Sequence, residues 1–439
     1  MVNRPSLMFY CQHLLGIGHL VRSVQIVGSL AKKFRVLLAL GGAPVEEIAI
    51  PAGVQLLQLP PLESDLDFTS LDVCGATAAL DDVRARRRDM LLRACDAVSP
   101  DILVTELFPF GRRQFGFELL PLLEHFRSRK PAGITVSSVR DVLVTKADQA
   151  KYERRVRDLV NRYYDLVLVH GDERLVKLDE TFSRLGDLQC EVRYTGYVAP
   201  KECAAFAPDA ESDGRGDPLI VVSNGGGRCE SGSRLLESVI QAAMRLQRRL
   251  PHTFEIYTGP LVPADLYGRW SALARTSQNI RVATFTPHLA QRMKRANLSI
   301  SMGGYNTVMD VLSAGVRALL YPVTANSDQE QAVRARKLQA LGVVGILSEE
   351  DLAPRRMEAA IQGALATEPR GLVLNLEGAK GTLIALMDFL LRRQMEGSGA
   401  KGGAELYGAS EVGAGCFLGG ALCAPKDGRH RLPTSAFGF

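Results

Sequence analysis

Short apolar runs alternate with longer stretches of helical period through the first half of the chain. The runs Leu7–Tyr10, Arg35–Leu40, Val54–Leu59, Ile102–Thr105, Ile134–Ser138 and Leu166–His170 have strand length. Between them Leu20–Lys32, Val83–Ala97 and Tyr152–Tyr163 repeat apolar positions at helical spacing. Such alternation predicts parallel sheets with helices on both faces. The pattern breaks at Pro200–Pro218, where Pro, Gly, Asp, Glu and Ser dominate, so residues 201–217 are expected to be a linker. It restarts with strands at Leu219–Ser223, Phe254–Thr258, Ile280–Phe285, Leu298–Ser301, Ala318–Tyr321 and Val343–Leu347. Helices are expected at Ser233–Arg249, Leu289–Ala296, Thr307–Ala314, Gln329–Leu341 and Arg355–Ala366. The expected fold class is α/β, with one Rossmann-like domain over residues 1–200 and a second over 218–375, facing each other across a cleft. A last helical stretch, Leu376–Arg393, has no strand after it.

Composition narrows this picture. A chain of 439 residues exceeds one comfortable core, which agrees with two domains. Glycine supplies 11 of the 44 residues from 396 to 439, with no sustained apolar period, so this tail is expected to be disordered. The formal net charge of +5 permits phosphate ligands or an anionic membrane surface without demanding nucleic acid, and no nucleic-acid module is visible. The eight cysteines are scattered without a CxxC pair, which suits reduced thiols in the cytoplasm. No apolar run reaches the ~18–20 residues needed to span a bilayer, and the N-terminus lacks the apolar core of a signal peptide.

The chemistry concentrates where strands run into glycines. In Ser301-Met-Gly-Gly-Tyr-Asn-Thr-Val-Met-Asp310 an apolar strand ends at Gly303 and Gly304, and a short helix is expected to begin near Thr307. Glycines allow close approach of a ligand, and helix-start N–H groups favour phosphate. Asp310, one turn into the helix, is placed to reach sugar hydroxyls beside that phosphate. A second such loop is Ser223-Asn-Gly-Gly-Gly-Arg228, where Gly225, Gly226 and Gly227 form a plausible phosphate cradle and Arg228 adds charge. The third, Tyr10 to His19, holds Gly16 and Gly18 but has Val21 where a dinucleotide fingerprint needs another glycine, so NAD is not expected. It carries His19 to a helix start at the C-terminal edge of the first sheet, either as a helix cap or as a proton acceptor. His13 reads as structural. Asp328 with Gln331, or Ser327 with Glu330, fits a helix capping box, which is compatible with ligand contact by Gln329 and Gln331. Asp65-Leu-Asp67 resembles a metal-binding DxD without supporting context, and the basic run Arg84–Arg88 reads as a solvated helix face.

Together these motifs resemble the GT-B glycosyltransferases of the family-28 type. That group includes the peptidoglycan N-acetylglucosaminyltransferase, and the likeness extends to glycosyltransferases assigned from sequence and grouped with spore-coat polysaccharide proteins. The likeness runs over roughly residues 6–394 and is sharpest at Ser301–Asp310, Gly315 and Pro322 to Gln331. What the resemblance implies is a nucleotide-sugar donor, UDP-sugar favoured, held mainly by the C-terminal domain. Gly303, Gly304 and Thr307 would sit at the pyrophosphate and Asp310 at the ribose, with Asn306 also among the donor-binding residues. Gln329 and Gln331 would reach the sugar, and Phe285 and Thr286 the base. Gly18 and the Gly225–Gly227 loop with Arg228 would line the cleft. The closing helix over 376–395 would return to the N-terminal, acceptor-side domain. Where this family usually has Glu, the present chain has Asp310, one methylene shorter.

The implied reaction is inverting, metal-independent transfer of a sugar to a hydroxyl acceptor (glycan, lipid-linked or small molecule) in polysaccharide biosynthesis, with no cofactor. His19 is the expected general base, with Asp141 and Glu106 as rivals at strand ends. The location implied is cytoplasmic, with peripheral contact at the inner face of the membrane compatible with the charge. Two other readings share the fold: a sugar-nucleotide 2-epimerase, and a non-catalytic nucleotide-sugar-binding protein.

Overall fold

The computed structural model describes residues 4–14, 17–45, 48–64, 71–73, 79–129, 133–200, 218–226, 230–323, 329–368 and 373–397. The first half builds β1 (Ser6–Cys11), α1 (Gly18–Leu30), β2 (Arg35–Leu40), β3 (Val54–Gln58), β4 (Leu62–Ser64) and β5 (Leu71–Val73). It continues with α2 (Leu80–Val98), β6 (Ile102–Glu106), α3 (Gly116–Ser128), β7 (Ile134–Arg140), α4 (Gln149–Tyr163), β8 (Leu166–His170) and β9 (Glu191–Tyr194). Its main sheet has seven parallel strands in the order β3-β2-β1-β6-β7-β8-β9.

The second half holds β10 (Leu219–Ser223), α5 (Glu230–Leu246), β11 (Thr253–Tyr257), α6 (Ala264–Ala274), β12 (Ile280–Ala283) and α7 (Leu289–Arg295). Then follow β13 (Leu298–Met302), α8 (Tyr305–Ala314), β14 (Ala318–Tyr321), α9 (Glu330–Ala340), β15 (Gly345–Ile346), α10 (Pro354–Leu365) and α11 (Gly378–Gly397). Its six parallel strands lie in the order β12-β11-β10-β13-β14-β15. Both sheets are doubly wound, so the protein is α/β with two Rossmann-like domains, as the alternation predicts.

Burial follows the two-residue strand period. In β1, Met8 and Tyr10 face one cluster with Leu119, Leu122 and Phe126 of α3, while Leu7, Phe9 and Cys11 face another with Ile26 and Val27 of α1. Near-continuous apolar strands such as Leu166–His170, all buried, are what helices on both faces require. A separate cluster joins Val142, Leu175, Val176 and Tyr197 of the first half to Val221, Tyr305, Val308, Met309 and Leu338 of the second. That mixed cluster fastens the domains to each other. α11 places Ala379, Ala385 and Leu386 against the core under β1 and α1, and Arg193 binds Asp388 at 2.6 Å.

Several elements depart from the sequence reading. α3 and α6 were not anticipated, because α3 carries Pro121 inside it and α6 buries only Trp270 and Ala274, leaving little apolar period. Between Leu59 and Val83, where the sequence pattern assigns no element, Leu62–Ser64 and Leu71–Val73 form the antiparallel β4–β5 pair. α8 starts two residues earlier than expected, at Tyr305. Within the basic run, Arg87 is fully buried: it pairs with Glu118 at 2.7 Å and donates to Gln12 Oε1 and to the Gly41 and Pro60 carbonyls. Its charge is thus satisfied inside the core, unlike the solvated face expected there. Arg84, by contrast, pairs with exposed Asp81. The linker 201–217, the Asp65–Asp67 motif and residues 398–439 of the tail lie outside the described residues.

Candidate active site

In a doubly wound sheet, ligands bind beyond the C-terminal strand ends where the strand order reverses. Those points fall between β1 and β6 in the first sheet and between β10 and β13 in the second. The loops leaving these four strands carry the Gly18–His19 segment, Glu106, Gly225–Gly226 and Gly303–Gly304. The topology therefore brings together the three glycine loops singled out in the sequence.

On the N-terminal side, His19 stands in the first turn of α1, whose start has no side-chain cap. Its Nδ1 lies 2.7 Å from Glu106 Oε1, at the end of β6, and the imidazole is 17% exposed while the carboxylate is fully buried. The same Glu106 oxygen accepts from Arg22 Nη2, three residues further along α1. Burial is the largest influence on His19 and lowers its pKa to about 3, with Glu106 opposing. Burial alone would raise the Glu106 carboxyl, but His19 and Arg22 outweigh it and hold it well below the usual carboxylate range. A neutral imidazole donating Nδ1–H to Glu106 leaves Nε2 as the acceptor, which is the arrangement of a base held in one tautomer. The Cys11 thiol lies beneath it, 3.7 Å from the His19 carbonyl. His13, by contrast, is buried with Nε2 2.8 Å from the Ala43 carbonyl, which is a structural contact.

The C-terminal side supplies an uncapped helix start and an unpaired acid. Gly304 is the N-cap residue of α8 and provides no side-chain cap, so the first-turn N–H groups keep their capacity to bind an anion. A Cβ at Gly304 would meet nothing within 4 Å, whereas one at Gly303 would approach Pro322 Cα at 3.1 Å and Gln331 Oε1 at 3.3 Å. Gly303 is thus a packing glycine and Gly304 faces open space. Gly225 has φ +67°, a left-handed conformation that favours glycine, and a Cβ there would lie 3.5 Å from Thr307 Oγ1. Asp310 is half-buried, forms no hydrogen bond or ion pair among the described residues, and burial raises its pKa to about 7.

These walls touch. Asn306 Nδ2 donates to the Gly18 carbonyl at 3.2 Å, and a Cβ on Gly226 would meet Ile17 at 2.9 Å. Gln331 Oε1 accepts from Val323 N–H at 3.1 Å, and Gln329 is the exposed N-cap residue of α9. The helix therefore starts after Gln329, and Gln329 makes no side-chain cap bond. Phe285 is 37% exposed beside Thr286, whose Oγ1 accepts from His288 N–H. Gly227, Arg228 and Asp328 lie outside the described residues.

Asp141 does not face the open cleft as a base would. It is buried against Arg334 of α9, with Nη2 to Oδ1 at 2.6 Å, and accepts from Tyr197 Oη at 2.9 Å. Arg334 also binds Glu330 at 2.9 Å, and Glu330 binds Arg140 at 2.6 Å. Burial would lower the Arg334 pKa, but Asp141 and Glu330 raise it well above its usual value. This chain of charges crosses from β7 to α9 and was invisible in the sequence, where its members are some 190 residues apart. Arg22, which the sequence reading also left out, stands three residues after His19 on α1 and donates to Glu106. Among the described residues no group of three His, Cys, Asp or Glu side chains could hold a metal ion.

Residues 231–375 match the glycosyltransferase family 28 C-terminal domain. Phe285, Thr286, Gly303, Gly304, Asn306, Thr307, Asp310, Gln329 and Gln331 all lie in this matched segment, whereas His19, Arg22 and Glu106 lie before it. A curated relative from Methylobacterium radiotolerans is named UDP-N-acetylglucosamine–N-acetylmuramyl-(pentapeptide) pyrophosphoryl-undecaprenol N-acetylglucosamine transferase. It is 29% identical over 167 residues, covering 37% of this chain and 42% of the relative. The chain thus spans under half the length of the first curated relatives it matches. Over the whole fold, MurG of Acinetobacter baumannii superimposes with a TM-score of 0.53 at 15% identity, covering 88% of this chain and all of that one. The calicheamicin glycosyltransferase superimposes with a TM-score of 0.55 at 15% identity, covering 91% of this chain and 100% of that one. The fold is therefore that of the GT-B glycosyltransferases.

Proposed function

We propose that the protein is a glycosyltransferase that moves a sugar from a UDP-sugar to a hydroxyl acceptor, with inversion and without a metal. The observation that carries this reading is the contact of Asn306 with Gly18, which sets the uncapped start of α8 beside the His19–Glu106 pair. In this reading 1–200 is the acceptor side, 218–375 the donor side and 376–395 the closing helix. The diphosphate lies at Gly303, Gly304 and Thr307, with Gly18, Gly225, Gly226, Gly227 and Arg228 lining the cleft. Asp310 binds the ribose hydroxyls, Phe285 and Thr286 meet the base, and Gln329 and Gln331 contact the sugar. His19 takes the acceptor hydroxyl proton at Nε2 as that oxygen attacks the anomeric carbon. The bond from that carbon to the diphosphate oxygen breaks, and the N–H groups of α8 stabilise the charge that develops on the leaving group. Glu106 orients His19, and Asp141 joins the domains; neither acts as the base.

The acceptor side offers a further clue. Arg112, in a left-handed backbone conformation just beyond Glu106, forms no hydrogen bond or ion pair among the described residues. Its Nε is buried without a partner, and burial lowers its pKa, although a guanidinium stays charged. A cation kept unpaired next to the base suits an acceptor bearing a phosphate or carboxylate near the attacked hydroxyl. The Methylobacterium relative's name specifies a pyrophosphoryl lipid acceptor. We place the reaction in the cytoplasm, with peripheral contact at the inner membrane face when the acceptor is lipid-linked.

A thermal-shift screen with UDP-, dTDP- and GDP-sugars, followed by nucleotide-release assays, tests this reading. The right donor raises the melting temperature by mass action. UDP release only in the presence of acceptor supports transfer. Sugar isomerisation without acceptor would show an epimerase, and tight donor binding with no turnover over a broad acceptor panel would show a binding protein.

A further inference from the structure

Tyr305 follows directly on Gly303 and Gly304 and opens α8, yet its side chain turns away from the glycine loop into the contact between the domains. Two guanidiniums lie over its ring: Arg22 of α1 at 5.3 Å and Arg334 of α9 at 5.1 Å from the ring centre. Each of these arginines holds a buried carboxylate, Arg22 the Glu106 that binds His19, and Arg334 the Asp141 of the N-terminal domain. Arg22 Nε and Arg334 Nη1 are buried without a hydrogen-bond partner, and both belong to the groups stacked on this ring, whose π face substitutes for one. The Tyr305 hydroxyl accepts from Val198 N–H at 3.1 Å and donates to the His170 carbonyl at 3.2 Å. One side chain of the second domain is thereby held at its ring by Arg22 of the first domain and Arg334 of its own, and at its tip by Val198 and His170 of the first.

We propose that Tyr305 is a positioning residue, which sets the register of the His19–Glu106 pair against the phosphate loop through Arg22. This rests on the reading of His19 as the base. The physical argument is continuity. His19, Glu106, Arg22 and Tyr305 are linked by successive contacts, and Tyr305 is bonded covalently to the glycine that caps the phosphate-binding helix. A shift of that loop cannot occur without moving the face on which Arg22 rests. The two cation–π contacts also explain why a tyrosine follows the glycines, since a smaller residue would leave two buried guanidiniums facing a void.

The test is steady-state kinetics on Tyr305→Leu, Tyr305→Phe, Arg22→Met and the Tyr305→Leu/Arg22→Met double variant, with His19→Ala as control. Misplacing a catalytic group by about 1 Å costs up to about 100-fold. Tyr305→Leu should therefore lower kcat about 10- to 100-fold while the donor KM stays within about twofold. Tyr305→Phe keeps the ring and should recover most of that loss, and the double variant should be no slower than the slower single one. Wild-type kcat in Tyr305→Leu, or additive losses in the double variant, would overturn the proposal. If Tyr305→Leu does not fold, Arg22→Lys decides: it keeps a charge for Glu106 but loses the planar stack, so kcat should fall with donor KM unchanged, and wild-type kcat refutes the coupling. An inactive His19→Ala with an unaffected Tyr305→Leu removes Tyr305 alone, whereas a fully active His19→Ala removes the base assignment and the coupling with it.

Discussion

Arg334 of α9 and Asp141, just beyond β7, form a two-point ion pair across the domains, Nη2 to Oδ1 at 2.6 Å and Nε to Oδ2 at 3.1 Å. Both side chains are fully buried, so neither charge has water to fall back on. Removing one partner of a buried pair costs up to roughly 3–5 kcal/mol where the other charge is left uncompensated, and here Arg334 would keep only Glu330, at 2.9 Å. Asp141→Ala should lose stability on that scale in urea denaturation. The Asp141→Ala/Arg334→Met double variant should be less destabilised than Asp141→Ala alone, and a double variant as unstable as the sum of the singles would show the two do not act as a pair.

The pair His19–Glu106 makes a kinetic prediction. Burial moves the imidazole pKa from its ordinary 6.5 down to about 3, so His19 is neutral and able to accept a proton throughout the working pH range. At saturating donor the pH profile of kcat should show no acid limb near 6.5. The sign for stability is the opposite of a salt-bridged histidine: the unfolded chain binds the proton first, so stability falls as pH drops from about 6.5 towards 3. Glu106→Gln should lower kcat about 100-fold or more while the protein remains folded. An acid limb at pH 6.5 in the wild-type profile would contradict a neutral His19.

Much of this was legible in the sequence because it is local. Strand, glycine and helix start follow one another within a few residues, as in Leu298–Asp310, and the doubly wound topology then brings three such loops to one place. The interdomain charges were not legible, since Arg140, Asp141, Glu330 and Arg334 meet only after both sheets have formed. The same holds for Glu106, which reads as a lone acid at a strand end until α1 lays Arg22 and His19 against it. Tyr305 stands in the Ser301–Asp310 motif with no role legible there, because nothing in its neighbours along the chain announces two arginines. α6 was missed for an opposite reason: most of its faces are exposed and leave little apolar period.

The glycine loops should separate folding from binding. Gly225 sits at φ +67°, so Gly225→Ala strains the backbone and should cost roughly 1 kcal/mol or more of stability. Gly304 has ordinary extended φ and ψ with open space where a Cβ would go, so Gly304→Ala should fold with a loss below about 1 kcal/mol. That open space is where a diphosphate would lie. Calorimetric titration with UDP should therefore show Gly304→Ala weakened at least about tenfold despite a near-normal melting temperature; unchanged affinity would remove Gly304 from the donor site.

Asp310 should show the conflict between stability and function most directly. Burial raises its pKa from 3.8 to about 7 and no partner among the described residues offsets the cost of ionising it. A carboxyl raised in this way stabilises nothing by its charge: stability is lost as pH rises from about 4 to about 7, where the folded carboxyl finally ionises. Asp310→Asn removes the cost with little change of shape, and at pH 7.5 it should gain roughly 1–3 kcal/mol, a benefit that fades as pH is lowered to about 4. The same substitution takes away a charged acceptor for the ribose hydroxyls, worth roughly 1.5–3 kcal/mol, so UDP affinity should fall about tenfold or more. Wild-type affinity should itself decline below pH 7 as the carboxyl takes up its proton, and Asp310→Asn should lack that decline. A variant that is stabilised yet binds UDP as tightly as the wild type would leave Asp310 as a buried acid with no part in donor recognition.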